Sequence, residues 1–400
     1  MKKFTFYTII CFIVIFGIFQ VYSTPELSIW TGNKCSKCHI NPQGGGIRTE
    51  FGWKFLRDAS HLPIGKEEIQ KIYELFDKSQ YWSNLSLGDS SENYVNWKFA
   101  YGLDFRFQSI RSHKTELARR RYFPMESGLY FLIQPSENFN FNAQYNIGPK
   151  VFQGQDNWMA SFNIKIIDFL PEIQFGKFQP SFGLRDCDMT RFDRRIASVD
   201  YTASLFPPDY SEFGLELSFR NFEWFDIYAG VFDSRFLSYV TIFGDKPIVL
   251  KHNPTFTSKI VIYPLIIEDF LFYSFLGSSV LINGNFLYSS SFVGLNLFEK
   301  FGLFGELALS DLKDMRKTQN YTIKLMYYLT RGVIPFITLE NGKTKINITE
   351  KNVWELRNQS GIIGVKYFPV PYVVMVAEYR YFKSMENKST RWAFQLHLYY

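Results

Sequence analysis

From about residue 94 the hydropathy of this chain alternates with a period of two. Val95, Trp97, Phe99, Tyr101, Leu103, Phe105 and Phe107 are apolar or aromatic, and the residues between them, Asn96, Lys98, Ala100, Gly102, Asp104 and Arg106, are polar or small. A half-buried strand of a soluble protein alternates too, but for about 4–8 residues. A longer run with rings near its ends is the pattern of a strand whose outer face meets lipid. The pattern recurs near 94–107, 125–134, 139–148, 157–168, 172–180, 212–220, 223–232, 255–264, 269–280, 285–298, 302–311, 320–330, 333–341, 355–368, 372–383 and 390–400. That is sixteen strands, an even number. Strands that cross a bilayer must close on themselves to satisfy every backbone N–H and C=O. The expected fold is therefore all-β, an antiparallel transmembrane β-barrel of about 16 strands.

The connections support this reading. Short ones, such as Pro135-Ser136-Glu137-Asn138 and Phe368-Pro369-Val370-Pro371, contrast with long ones near 108–124, 181–211, 233–254 and 342–354. Short turns at one end and long loops at the other are an outer-membrane signature. Both ends of the barrel sequence then fall on the short-turn, periplasmic side. Trp392, Phe394, Leu396, Leu398 and Tyr400 alternate up to an aromatic carboxyl terminus, similar to the terminal strand that barrel assembly machinery recognises. The expected surroundings are outer-membrane lipid. The 43 Phe and 25 Tyr argue against disorder. A net charge of +6, scattered along the chain, gives no nucleic-acid footprint.

The first residues read as an export signal. Lys2 and Lys3 precede an apolar run from Phe4 to Phe19, and Val21-Tyr22-Ser23 places small or branched residues before Thr24. After it no apolar run approaches the roughly 20 residues of a membrane helix. The expected organisation is a signal peptide at 1–23, a periplasmic haem-binding segment at 24–90 and an outer-membrane barrel at 91–400.

The haem assignment rests on Cys35-Ser36-Lys37-Cys38-His39. Two thiols at this spacing can reach the two vinyl groups of one haem, and the next residue offers an imidazole to iron, so C-x-x-C-H reads as attachment of one covalent haem c. A thioredoxin-like redox pair would want a strand before and a helix after, whereas Asn41-Pro42 and Gly44-Gly45-Gly46 follow. A disulfide pair and a zinc site remain the alternatives; zinc would need a second ligand pair, and only His61 is near. Pro42 is placed so that its carbonyl, or a neighbouring one, could accept from the far imidazole nitrogen. Arg48 is a candidate partner for a haem propionate, or simply an exposed cation. His61 is the candidate sixth iron ligand, against a water-bound site or a ligand from a partner. Residues 66–78 carry a helical stripe of Ile69, Ile72, Tyr73 and Phe76. The whole segment is expected to be small, helical and loop-like.

By the same alternation the inward residues include Lys98, Arg106, Lys165, Arg220, Lys259, Lys324, Lys366, Arg380 and Arg391, against Asp104, Glu216, Glu306, Glu340 and Glu378. That balance favours anions in the lumen. Loop 181–211 is the third outward connection and the longest, and its charge mixture suits folding into the lumen; a solvated external loop is the alternative. Cys187 within it reads as an isolated thiol. No nucleophile–base pair stands out, so an enzyme is not expected.

Cys35 to Arg48, reading C-x-x-C-H-x-N-P-x-G-G-G-x-R, together with the barrel pattern resembles a bacterial family of outer-membrane barrel proteins with an N-terminal haem box. The stretch Gly176 to Arg185, G-K-F-Q-P-S-F-G-L-R, is similar to the segment of porin-type barrels where the fifth strand enters the long loop. Asp186-Cys187-Asp188-Met189-Thr190 follows where a D-H-T-like motif would be expected, so no histidine ligand is available there. The resemblance implies a porin-like component of porin–cytochrome conduits, with multihaem c-type cytochromes as partners in the lumen or at its mouths. The other reading is an anion-preferring solute porin with the haem as accessory or sensor. One haem is too small to bridge an apolar band about 25 Å tall, so a conduit requires partners.

Overall fold

The computed structural model describes residues 28–30, 32–40, 48–49, 83–86, 96–112, 121–147, 157–167, 169–184, 195–197, 202–206, 210–235, 237, 253–263, 270–313, 315–349, 352–370, 372–385 and 387–399. The alternating segments form strands wherever the sequence pattern places them. After a short β1 (Ser83–Ser86) come β2 (Asn96–Ser112), β3 (Arg121–Ser136), β4 (Phe139–Asn146), β5 (Trp158–Ile164) and β6 (Glu172–Phe178). A two-stranded ribbon, β7 (Arg195–Ala197) and β8 (Thr202–Ser204), stands apart from the main sheet. Then follow β9 (Glu212–Phe219), β10 (Phe225–Phe232), β11 (Thr255–Ile262), β12 (Leu271–Asn283), β13 (Phe286–Leu297) and β14 (Phe301–Leu312). The last five are β15 (Arg316–Tyr327), β16 (Val333–Thr349), β17 (Asn352–Tyr367), β18 (Val373–Ser384) and β19 (Asn387–Tyr399).

Each of β2–β6 and β9–β19 pairs antiparallel with its neighbours in sequence order, β6 with β9 across the ribbon. The ring closes between the last and first long strands, with Arg391 opposite Ser112 and Tyr399 opposite Asp104. The result is a closed antiparallel barrel of sixteen strands. Closure leaves no open edge, which is what a hydrocarbon environment demands.

Burial alternates strictly along the wall, as in β11 and β15. Phe131, Leu215, Phe256, Leu276, Leu325, Leu339, Ile363 and Phe394 are each more than a third exposed on the outer face. A soluble protein would not carry so continuous an apolar surface; in a bilayer it is the stabilised face. Phe169, Trp224, Phe270, Phe298 and Leu329 ring the end where β19 finishes, termed here the terminal end. The amphipathic ring of Trp224 favours that depth.

Two expectations about connections change. The stretches 108–124 and 342–354 are largely strand: β16 and β17 run on, paired as far as Thr349 opposite Asn352. The backbone ladder continues after the side chains turn polar, and Glu355 there pairs with Lys343 at 3.1 Å and Arg357 at 2.5 Å. The far-end connections after β12, β14, β16 and β18 are accordingly tight turns, with Gly284 at φ 49° and Met385 at φ 48°. Long far-end connections are confined to the first half of the barrel.

Candidate functional site

The inner wall is not uniformly polar. Tyr273, Phe275, Phe292, Phe304, Phe336 and Tyr328 point inward and are buried. Among the described residues, two parts of the chain enter the barrel and pack against such residues, one from each end.

The far-end insertion is the third long connection. It leaves β6 at Phe178, whose ring meets that of Phe232 at 5.2 Å. A loop that turns into a barrel must find partners for its own backbone N–H groups, and buried carboxylates on the wall supply them. The N–H and hydroxyl of Ser181 donate to Glu216 at 2.9 and 2.6 Å. Leu184 N–H donates to Glu306 at 3.1 Å, and Gly183 N–H to Ser279 at 2.7 Å. Lys259 donates to the Gly183 carbonyl at 2.9 Å. Gly183 sits at φ 61°, and a Cβ there would lie 3.1 Å from Glu306 Oε1, so the turn requires glycine. Phe182 fills a cluster with Phe206, Tyr210 and Tyr288 at 5.1, 6.0 and 5.6 Å. The described residues of loop 181–211 thus fold into the lumen rather than standing outside it.

The terminal-end insertion is the N-terminal segment. Ser28–Trp30 forms a helical turn whose Ile29 and Trp30 are buried inside the barrel. Trp30 packs against Tyr328 at 5.5 Å, and Asn296 donates to the Ile29 carbonyl at 3.0 Å. Gly302 makes the room: a Cβ there would stand 3.0 Å from Ile29 and 3.2 Å from Trp30. The chain then turns at Gly32 and Asn33, closed by Ser28 Oγ donating to the Asn33 carbonyl at 2.7 Å. Lys34 reaches the wall at Asp226, 2.7 Å away. Ile29, Trp30, the inward rings and Leu184 of the far-end loop belong to one buried apolar cluster.

The C-x-x-C-H box follows directly. Cys35–Cys38 is a single helical turn, α1, and Cys38 and His39 are buried. His39 forms an antiparallel bridge with Arg48, held by Thr49 N–H donating to the Cys38 carbonyl at 3.0 Å. The Arg48 guanidinium lies over the Tyr399 ring at 4.5 Å. Beside it on the wall His397 meets Asp104 at 2.8 Å and Arg106 at 3.3 Å, both through Nε2. Lys34 and Lys37 of this region, with Glu172, Arg220, Tyr263 and Tyr273, line a cavity of about 560 Å³ at the terminal end.

The structure therefore brings Cys38, His39 and Arg48 together on the barrel's inner rim, with Cys35 on the same turn. Pro42, the glycine triplet, His61, residues 66–78 and Cys187 lie outside the described residues. Among the described residues, no group of three or more His, Cys, Asp or Glu gathers as a metal site. The lumen charge reading needs correction. Glu172, Glu212 and Asp226 also face inward, paired respectively with Arg220, the Leu237 N–H and Lys34. Arg316 joins the buried cations. Lys165 sits in the turn after β5 rather than on the wall, and the Lys98 side chain is outside the described residues. Among the described residues of the wall the excess of inward cations largely disappears, which weakens the argument for anion preference. His397 was legible as inward from the outward Trp392, Phe394, Leu396 and Leu398 around it; nothing in the sequence marked Trp30 as a partner of Tyr328, or Lys34 as a partner of Asp226.

The closed ring with a loop folded into it can be set beside solved structures. The outer membrane channel DcaP of Acinetobacter baumannii matches at TM-score 0.53 and 10% identity, over 79% of this chain and 100% of that one. The fold is that of an outer-membrane porin. OmpF of Salmonella typhi, solved with daunomycin, matches at TM-score 0.53 and 10% identity, over 76% and 98% of the two chains. A loop-deletion mutant of OmpT from Vibrio cholerae matches at TM-score 0.51 and 10% identity, over 76% and 99%. No protein-family model and no curated protein matches the sequence. These matches cover 76–79% of this chain.

Proposed function

We propose that this chain is an outer-membrane barrel carrying one covalent haem c at its periplasmic mouth and taking part in electron transfer across the outer membrane. The observation that carries the reading is the seating of the C-x-x-C-H turn on the inner rim. A box on a trailing tail would leave the haem's position undefined, whereas Trp30, Lys34 and Arg48 fix this one against the wall. The donor set suits the group: Cys35 and Cys38 for the two thioethers, His39 for iron, Arg48 for a propionate. Pro42, through its own or a neighbouring carbonyl, would accept from the far nitrogen of His39, and His61 would be the sixth ligand. A bound haem would supply a one-electron couple, low in potential if both axial ligands are histidine.

Electrons would reach this haem from multihaem c-type cytochromes docking at the mouth. A cytochrome threaded through the lumen fits less well, because the two insertions and the inward rings occupy that space. Barrel assembly machinery would insert the protein through its aromatic last strand. The likeness to porins favours a second reading, a solute channel with the haem as accessory or sensor; the near-balanced inner charges give it little anion preference.

One experiment separates the two. Reconstituted alone in liposomes, the protein should pass no electrons to a sealed-in acceptor, and adding its cytochrome partners should start transfer. Free ion conductance in the native complex, without any co-purifying multihaem cytochrome, would favour the solute channel instead.

A further inference from the structure

The contact between Lys34 and the wall is more elaborate than a surface ion pair. Asp226 lies on the inward face of β10 with its side chain 2% exposed. Its Oδ2 accepts from two tyrosine hydroxyls, Tyr263 at 2.8 Å and Tyr228 at 3.4 Å. That leaves Oδ1 for the ammonium of Lys34 at 2.7 Å. The same ammonium donates to the Phe222 carbonyl and, more weakly, to the Phe225 carbonyl at 3.5 Å. It stands 4.5 Å from the centroid of the Tyr263 ring. An ammonium has three donors and no acceptor; here it meets one carboxylate oxygen, two carbonyls and an aromatic face. Each of these is attractive to a compact cation. All of them belong to β9–β11 and their turns, so the receptor is built by the barrel and persists without the N-terminal segment.

We infer that the terminal mouth of the barrel contains a binding site for primary ammonium groups, and that Lys34 is its resident occupant. The adjoining cavity of about 560 Å³, lined by Glu172, Glu223, Tyr263 and Tyr273, gives a small amine solute space next to the site. A buried carboxylate without a cation is costly, so the site favours exchange of one ammonium for another over standing empty. Occupation by Lys34 tethers the N-terminal segment to the wall; occupation by an external amine releases the Lys34 tether to Asp226. The inference concerns the barrel wall and does not depend on the haem.

The test uses the purified mature protein in detergent and n-butylammonium as probe. Calorimetric titration should show one site in Lys34→Ala and at least about tenfold weaker binding in the wild type, because the resident lysine competes. Adding Asp226→Asn to Lys34→Ala should abolish binding, and tetramethylammonium, which lacks N–H donors, should not bind Lys34→Ala. A measurement on the unmodified protein guards against variants that fail to fold: n-butylammonium should speed proteolytic cleavage within residues 24–49, and tetramethylammonium at equal ionic strength should not. Equal binding by all forms, no binding to folded Lys34→Ala, or no difference between the two cations in the cleavage assay would overturn the site.

Discussion

The two insertions that enter this barrel are held by different chemistry. The far-end loop hangs from backbone N–H groups bonded to buried carboxylates, Glu216 and Glu306. The N-terminal segment is held chiefly by its own side chains, Trp30 and Ile29 in an apolar slot, Lys34 on Asp226 and Arg48 over Tyr399, with the Ile29 carbonyl also accepting from Asn296. The loop's attachments use groups that any backbone must satisfy once buried, so the loop is part of the wall's hydrogen-bond economy. The segment's attachments are removable one side chain at a time, which is how a docked element is held. The difference teaches that the loop is built in and the segment is seated.

The sharpest way to break this contrast is Trp30→Ala. Truncating a buried tryptophan costs about 3–5 kcal/mol, and here the cost falls on seating rather than on barrel closure. Cleavage within residues 24–49 should accelerate by about two orders of magnitude or more, while the heat-modifiable gel shift of the folded barrel stays unchanged. Loss of the folded barrel instead would make the segment part of the core, like the loop.

Glu306→Ala should act on the other insertion. It strips the Leu184 N–H and the Ser290 hydroxyl of their acceptor, a cost of about 1–3 kcal/mol for a buried polar group. Single-channel recordings should show a larger and noisier conductance, with the cleavage rate of residues 24–49 unaltered. Should the segment loosen as much as the loop, the two insertions would be coupled through the shared apolar cluster.

The smallest effect belongs to Arg48→Ala. A cation–π contact contributes about 0.5–2 kcal/mol, so cleavage of the segment should rise by about thirtyfold at most. A larger rise would mean that Arg48 also supports the bridge to His39.

These particulars show what the sequence could and could not convey. Strand positions were legible because lipid on one side and lumen on the other impose a period of two over β2–β6 and β9–β19. The box was legible because the proposed haem attachment would need its residues adjacent. Strand ends were not, since the β16–β17 ladder continues through Lys343, Lys345 and Asn347 after the apolar signal stops. The seating of the segment was also hidden. Trp30 and Lys34 meet Tyr328 and Asp226, about 300 and 190 residues away, and only barrel closure brings those positions to one rim. The lumen charge was misjudged because Glu172, Glu212 and Asp226 lie near strand ends, where the alternation is weakest.

The seat is of interest because of what it would hold, so the most direct measurement is of the haem itself. The mature protein should be purified from a host with haem-maturation machinery, denatured, extracted with acid acetone and examined by absorbance and intact mass. Covalent attachment predicts colour that survives extraction and a mass increased by one haem, with both lost in Cys35→Ala, Cys38→Ala. In the native protein the ferric spectrum should be low-spin and become high-spin in His61→Ala. Colourless protein of unmodified mass from such a host would contradict the account, and would leave a porin with a seated N-terminal stopper.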